Sequence, residues 1–341
     1  MRYLFYIGQN YSFEILRPVQ DEARQRGDEV AWFIEGNDVN RGYFQSDEMV
    51  LDSIHAVKKF HPDAVFVPGN LVPRFIPGLK VQVFHGFEWK KKGHFRLRNM
   101  FDLYCTQGPL FTAKFNELRA PHPHFNVVET GWPKVDVLFD SPAYQWPARS
   151  DKPVILYAPT FSPALTSAPA LFEEIKRMVG QGRWQWLIKF HPKMDQEWVE
   201  RYRELEGENC HVVETASLAP VLQAADIMVS DTSSIITEFA LLSRPVVTFK
   251  NKAPEAHLVD INQADQLEQA IASNLPPSPA LLDAIEQNVA QLHPYQDGKS
   301  SARMLDTVES MIKQGRKGLK PMPRNLFRNL KLRKKLGYWG A

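Results

Sequence analysis

Short apolar runs alternate with amphipathic stretches along almost the whole chain, and few architectures accept that rhythm. Strands that read as near-continuous Val, Ile, Leu and Phe are buried on both faces, which happens when helices cover both sides of a parallel sheet. Residues 3–7, 30–34, 64–67, 81–84 and 103–106 read as such strands, and residues 15–26 and 49–60 between them carry apolar side chains at helical spacing. At residues 141–153 the sequence SPAYQWPARSDKP places three prolines among polar side chains, which resists both helix and sheet. Beyond it the alternation resumes, with strands expected at 154–158, 186–190, 211–213, 227–230 and 246–249. Helical stretches are expected at 172–179, 197–205, 218–224, 235–242 and 267–273.

The chain has 341 residues, room for two domains of roughly 150 residues and a remainder. The expectation is an α/β protein with two doubly wound domains facing a cleft: residues 1–140, a linker at 141–152, residues 153–312, and a tail at 313–341. Such sheets bind ligands at the carboxyl ends of their strands, so polar residues immediately after a strand are the candidates for chemistry. The first ten residues read as a strand rather than a signal peptide, and no apolar run is long enough to span a bilayer. Cys105 and Cys210 stand far apart with no partner at zinc-finger spacing, which predicts a reducing compartment without disulfide or structural metal. GxxxxGK[ST], an early GxGxxG, HExxH and GxSxG are all missing from the sequence. ATPase, simple dehydrogenase, zinc protease and serine hydrolase readings therefore lose their usual support.

Three strand ends stand out. In DIMVSDTSSIITE an apolar strand runs into Asp231, Thr232, Ser233 and Ser234 and then into an apolar helix. Hydroxyls and the N–H groups of a helix start can hold a diphosphate, and Glu238 one turn on could reach ribose hydroxyls. The same turn also reads as ordinary helix capping. In KFHPK, Lys189 and His191 follow a strand, and an imidazole there suits proton transfer or a departing phosphate. In HGFEWKKKG, His85 follows a strand, Gly86 permits close approach, and Lys90 and Lys91 bring positive charge that would suit an anionic acceptor or simply a solvated face. Proline-marked turns place Thr160, Lys134 and Asp136 near strand ends, and Asp297 and Gly298 precede a late helix.

Taken in order, HGFEWKKKG, TGWPKVD, ILYAPTF, KFHP, DIMVSDTSSIITEFALLSRPVVTF and DGKSSARM resemble the motif series of the CDP-glycerol glycerophosphotransferase family, which includes teichoic acid primases and polymerases. The resemblance implies a GT-B architecture of two Rossmann-like domains, with the donor nucleotide held mainly by the C-terminal one. It implies attack of an acceptor hydroxyl on the donor's β-phosphorus with CMP leaving, and no cofactor and no metal. By the same resemblance His85 and His191 are the catalytic pair. Thr160, Lys189, Asp231, Thr232, Ser233, Ser234, Glu238, Asp297 and Gly298 would serve the donor, and Gly86, Lys90, Lys91, Lys134 and Asp136 the acceptor. Two departures bear on the donor. Lys134 stands where the family commonly has arginine, which keeps a charge and loses a bidentate contact. The stretch KNKAPEAHLVDI lacks the family's tyrosine- and arginine-rich segment, so CDP-ribitol or another activated alcohol stays open.

Net charge is only +2, yet no acid follows Glu309 while Lys and Arg recur to the end. If helical from Arg324, that tail would put Arg324, Arg328, Lys331 and Lys335 on one face and Leu326, Phe327 and Leu330 on another. Such a helix suits an anionic membrane surface; a disordered tail or a helix packed back on the first domain would share its composition. The expected partners are a CDP-alcohol donor, a lipid-linked or saccharide acceptor and an anionic membrane, with no nucleic acid. The expected place is the cytoplasm, peripheral on the inner face of the cell membrane. The rival readings are a nucleotide-sugar glycosyltransferase or epimerase on the same architecture, and a non-catalytic nucleotide-binding scaffold at the membrane.

Overall fold

The computed structural model describes residues 1–87, 89, 93–215 and 217–340. They form two compact units, Met1–Val137 together with Gln291–Ala341, and Leu138–Ala290. The first unit holds strands β1 (Arg2–Ile7), β2 (Glu29–Ile34), β3 (Met49–Leu51), β4 (Ala64–Val67), β5 (Leu79–Gln82), β6 (Leu103–Thr106) and β7 (Asn126–Glu129). They make a wholly parallel sheet in the order β3-β2-β1-β4-β5-β6-β7. Helices α1 (Ser12–Gln25), α2 (Ile54–Phe60) and α3 (Pro109–Arg119) supply crossovers. Alternation along β1 serves both faces: Leu4 and Tyr6 join a core with Val65, Phe101, Tyr104 and Phe115. Phe5 meets Trp32 and Phe66 edge to face.

The chain leaves this unit within α4 (Asp136–Asp140). The second unit holds β8 (Val154–Tyr157), β9 (Gln185–Ile188), β10 (Cys210–Val212), β11 (Ile227–Ser230), β12 (Val246–Phe249) and β13 (Val259–Ile261), parallel in the order β10-β9-β8-β11-β12-β13. Its helices are α5 (Ala168–Gln181), α6 (Gln196–Arg203), α7 (Ala219–Ala224), α8 (Ile235–Ala240) and α9 (Leu267–Ala272). Leu171, Phe172, Ile175 and Met178 recur along α5 at helical spacing and pack with Trp186, Tyr202 and Val229. The helix stops at Gly182, whose φ of 66° an L side chain rarely adopts.

The α/β class and its alternating parallel units agree with the sequence reading. Its boundaries differ in two places. Residues 49–60 were expected as one helix, but Met49–Leu51 is an edge strand and the helix starts only after Ser53, whose hydroxyl accepts from Ala56 N. Residues 291–312, expected in the second domain, pack on the first. After α10 (Pro279–Leu292), α11 (Ser300–Gln314) buries Met304, Leu305, Val308 and Met311, and Arg26 of the first unit reaches Asp306 at 2.6 Å.

The basic C-terminal segment, for which a helix packed back on the first domain was one reading, is also part of the first unit. It forms α12 (Leu326–Lys335). Leu332 is buried in the first unit's core, Asn325 donates to the carbonyls of Arg98 and Asn99, and Lys335 pairs with Glu35 at 2.7 Å. Leu326, Phe327, Leu330 and Trp339 remain exposed. No helix among the described residues is long and apolar enough to cross a membrane.

Candidate functional site

In the second sheet Ile188, Tyr157, Val229 and Val247 stand side by side on β9, β8, β11 and β12. Three residues past each lie His191, Thr160, Thr232 and Lys250, so the register sets four polar side chains in a row at one sheet edge. The chain order reverses between β8 and β11, which makes this edge the switch point where doubly wound sheets take ligands.

Asp231 holds that edge together. It is fully buried, and its carboxylate accepts from Thr160 N at 2.9 Å, Ser167 N at 2.9 Å, Ser167 Oγ at 2.9 Å and Thr232 N at 2.7 Å. Asp231 therefore braces the phosphate candidates, and its own oxygens are spent on protein donors. Thr232 Oγ1 accepts from Lys252 N, while the hydroxyls of Ser233 and Ser234 meet no partner among the described residues. Glu238 lies in the first turn of α8.

His191 stacks on Phe161 with ring centroids 4.3 Å apart, and its Nδ1 accepts from Lys193 N at 3.1 Å. That bond needs a lone pair on Nδ1, so the neutral ring carries its proton on Nε2. Burial, then Lys193 and Lys189, hold its pKa below the usual imidazole value, and burial lowers that of Lys189.

The first sheet repeats the arrangement with the opposite outcome. Val67, Gln82 and Tyr104 align on β4, β5 and β6, and three residues on come Asn70, His85 and Gln107. Phe84 has a φ of 65°, uncommon for a bulky side chain, and this left-handed step turns the chain off β5 and exposes His85. The His85 ring stacks on Tyr11 at 5.4 Å, and its Nδ1 donates to the Pro68 carbonyl at 3.2 Å, which leaves the Nε2 lone pair free when the ring is neutral. Gln107 donates to the Gly86 carbonyl at 2.8 Å. Lys90 and Lys91 lie outside the described residues.

TGWPKVD and DGKSSARM form one joint within the first unit. Asp136 accepts from Ser300 N at 2.8 Å and Ser301 N at 2.7 Å, capping α11. Burial raises the Asp136 pKa and these bonds oppose the shift. Arg303 donates to the Thr130 carbonyl and pairs with Asp297. Gly131 has a φ of 81°, and a Cβ there would stand 2.4 Å from Ser300 Oγ, so only glycine fits. Lys134 pairs with Glu14 at 3.5 Å and lies over Trp132. Asp297 and Gly298, expected beside the donor residues, thus sit in the other unit because α11 packs there.

The sequence reading missed Lys250, Lys252, Asn251, Tyr11 and Gln107. Asn251 Nδ2 donates to the Asp231 carbonyl at 2.7 Å, which ties the loop after β12 to the phosphate candidates. Lys250 and Gln107 each directly follow a strand, β12 and β6, the position at which polar residues are candidates for chemistry.

The family model described as CDP-Glycerol:Poly(glycerophosphate) glycerophosphotransferase matches residues 90–255. Over 207 residues the chain is 28% identical to teichoic acid ribitol-phosphate polymerase TarK of Staphylococcus aureus, covering 53% of this chain and 40% of that protein. It is 32% identical over 110 residues to the teichoic acid glycerol-phosphate primase of Bacillus spizizenii, covering 31% and 27%. The chain thus spans less than half the length of these relatives. Among solved structures, a putative UDP-N-acetylglucosamine 2-epimerase from Listeria monocytogenes matches with a TM-score of 0.67 at 15% identity, over 94% of this chain and 99% of that one. The wall teichoic acid polymerase TagF, as its H444N variant, matches with a TM-score of 0.63 at 14% identity, over 92% and 89%. Two parallel sheets flanked by helices are the GT-B fold of these neighbours.

Proposed function

Because this chain is a CDP-glycerol glycerophosphotransferase-like protein, we propose that it moves glycerol phosphate, or a related phospho-alcohol such as ribitol phosphate, from a CDP-activated donor to a hydroxyl of a cell-surface polymer or glycolipid. The acceptor oxygen attacks the donor's β-phosphorus, the bond from that phosphorus to CMP breaks, and CMP leaves with the bridging oxygen. Phosphoryl transfer asks a protein mainly for positioning and for donors to spread negative charge.

The observation that carries this reading is the opposite proton placement on two strand-end imidazoles. His85, with Nε2 open, takes the proton from the acceptor hydroxyl. His191, with its proton on Nε2, donates to the diphosphate, and its lowered pKa keeps it in that neutral form. The hydroxyls of Ser233 and Ser234 and the Lys250 ammonium add donors beside it. Lys134 and Asp136 shape the acceptor side, Asp136 through the helix cap it provides, and Asp297 and Gly298 serve the donor from the start of α11. The enzyme works at the inner face of the membrane, with the basic C-terminal segment against anionic lipid.

A donor panel tests the reading. Release of CMP from CDP-glycerol or CDP-ribitol in the presence of acceptor supports it. Release of UDP from a UDP-sugar, or its epimerisation, would replace it with the rival suggested by the epimerase-like fold. Nucleotide binding without turnover across the panel would point to a scaffold.

A further inference from the structure

Where α12 seats on the first unit it leaves a cavity of about 540 Å³. Arg98, Arg328, Lys331 and Lys335 line it, with Glu35 as the one acid among the described residues. That acid is already engaged by Lys335 at 2.7 Å. Among the described residues Arg328 Nη1 reaches neutral acceptors only, the Arg98 carbonyl at 2.8 Å and Asn325 Oδ1 at 2.9 Å. The Nε of Arg98 is buried and meets no acceptor among the described residues. Burial, then Arg96 and Arg328, lower the Arg98 pKa, yet a guanidinium stays charged, so its Nε is a cationic donor without an acceptor among the described residues.

The wall of the same cavity is apolar. Leu71, Leu326 and Phe327 complete it, and Phe327 is 86% exposed. A soluble anion would satisfy the guanidinium groups and leave these side chains in water. An amphiphile with a phosphate at one end satisfies both, because the phosphate pairs bidentately with arginine while the chain covers Leu326 and Phe327.

We propose that this cavity receives the phosphate head group of an anionic membrane lipid, with α12 lying in the interface and Arg98, Arg328 and Lys331 gripping the phosphate. The proposal rests on the membrane reading of the C-terminal segment and gives it a defined binding site in place of diffuse charge attraction.

The probe is dihexanoylphosphatidylglycerol below its micelle threshold, titrated calorimetrically into the full chain, with inorganic phosphate in a parallel arm. Saturable binding of one lipid is expected, with Arg98→Ala weakening it at least about tenfold through the loss of a charge-assisted contact. Lys334→Ala removes the same charge from α12 outside the cavity and should stay within about threefold of the parent, a screening effect only. Should Arg98→Ala lose its circular-dichroism signature, Lys331→Ala, on an exposed cavity-lining side chain, takes its place. No saturable binding, equal loss in the Lys334 and cavity variants, or phosphate binding as tightly as the lipid would overturn the proposal. Flotation with phosphatidylglycerol vesicles separates the two layers. A chain that floats yet binds no monomeric lipid keeps the membrane reading and loses the cavity, and a chain that does neither loses both.

Discussion

His85 and His191 occupy equivalent places in two different sheets, each three residues past the last residue of a parallel strand, yet they are wired in opposite senses. His85 donates a hydrogen bond from Nδ1–H to the Pro68 carbonyl, whereas His191 accepts one at Nδ1 from the Lys193 N–H. One ring is left with a basic nitrogen facing out and the other with an N–H. Position in the fold therefore does not define the chemistry of a strand-end histidine; the partner of its second nitrogen does. The buried aspartates differ likewise. Asp231 ties three segments around a strand end, while Asp136 caps one helix.

The largest expected effect breaks this contrast directly. His85→Ala and His191→Ala should each cut turnover by about a hundredfold or more, the usual scale of acid–base contributions. Glutamine then sharpens it, since its amide can donate where an imidazole Nε2–H did but cannot take up a proton. His191→Gln should recover about tenfold over His191→Ala and His85→Gln none, in steady-state CMP release. Equal recovery at both positions would sink the assignment of opposite roles.

The aspartates come next. Asp231→Ala strands several buried donors and should lower the second unit's stability to urea by about 2–3 kcal/mol. Asp136→Ala removes a helix cap and should cost the first unit about 1–2 kcal/mol. A larger loss at Asp136 would show that the joint, and not the strand end, is the more heavily braced.

The smallest effect concerns acid. Burial pushes His94 and His293 of the first unit down from 6.5 to about 4. The unfolded chain binds protons from about 6.5 downward while these folded rings stay neutral. Stability should therefore fall as the pH drops from 6.5 to 4 and level off below. In thermal melts the first unit should lose more than the second, where exposed His191 carries only a modest downward shift. A second unit equally sensitive to acid would remove this difference.

Much of the site was legible because strand-end chemistry is local. An apolar strand followed by FHGF, KFHPK or VSDTSS announces itself without knowledge of the rest of the chain. The edge strands Met49–Leu51 and Val259–Ile261 were not read, since three partly exposed residues carry too little periodicity to stand out. Lys250 and Asn251 were overlooked because their loop resembles no motif, and only the alignment of β12 with β11 brings them to the edge.

By itself the sequence determined the two α/β repeats, the polarity of the strands and the histidines and hydroxyls at their ends, since burial periodicity and turn chemistry act over a few residues. Tertiary structure alone decided where α11 and α12 belong, because Asp136 finds its amide partners 164 and 165 residues away and Leu332 finds its core across the whole chain. It also decided the proton placement on His85, since Pro68 stands on a different strand end. Contacts at that separation depend on which surfaces fold together, and no local pattern encodes them.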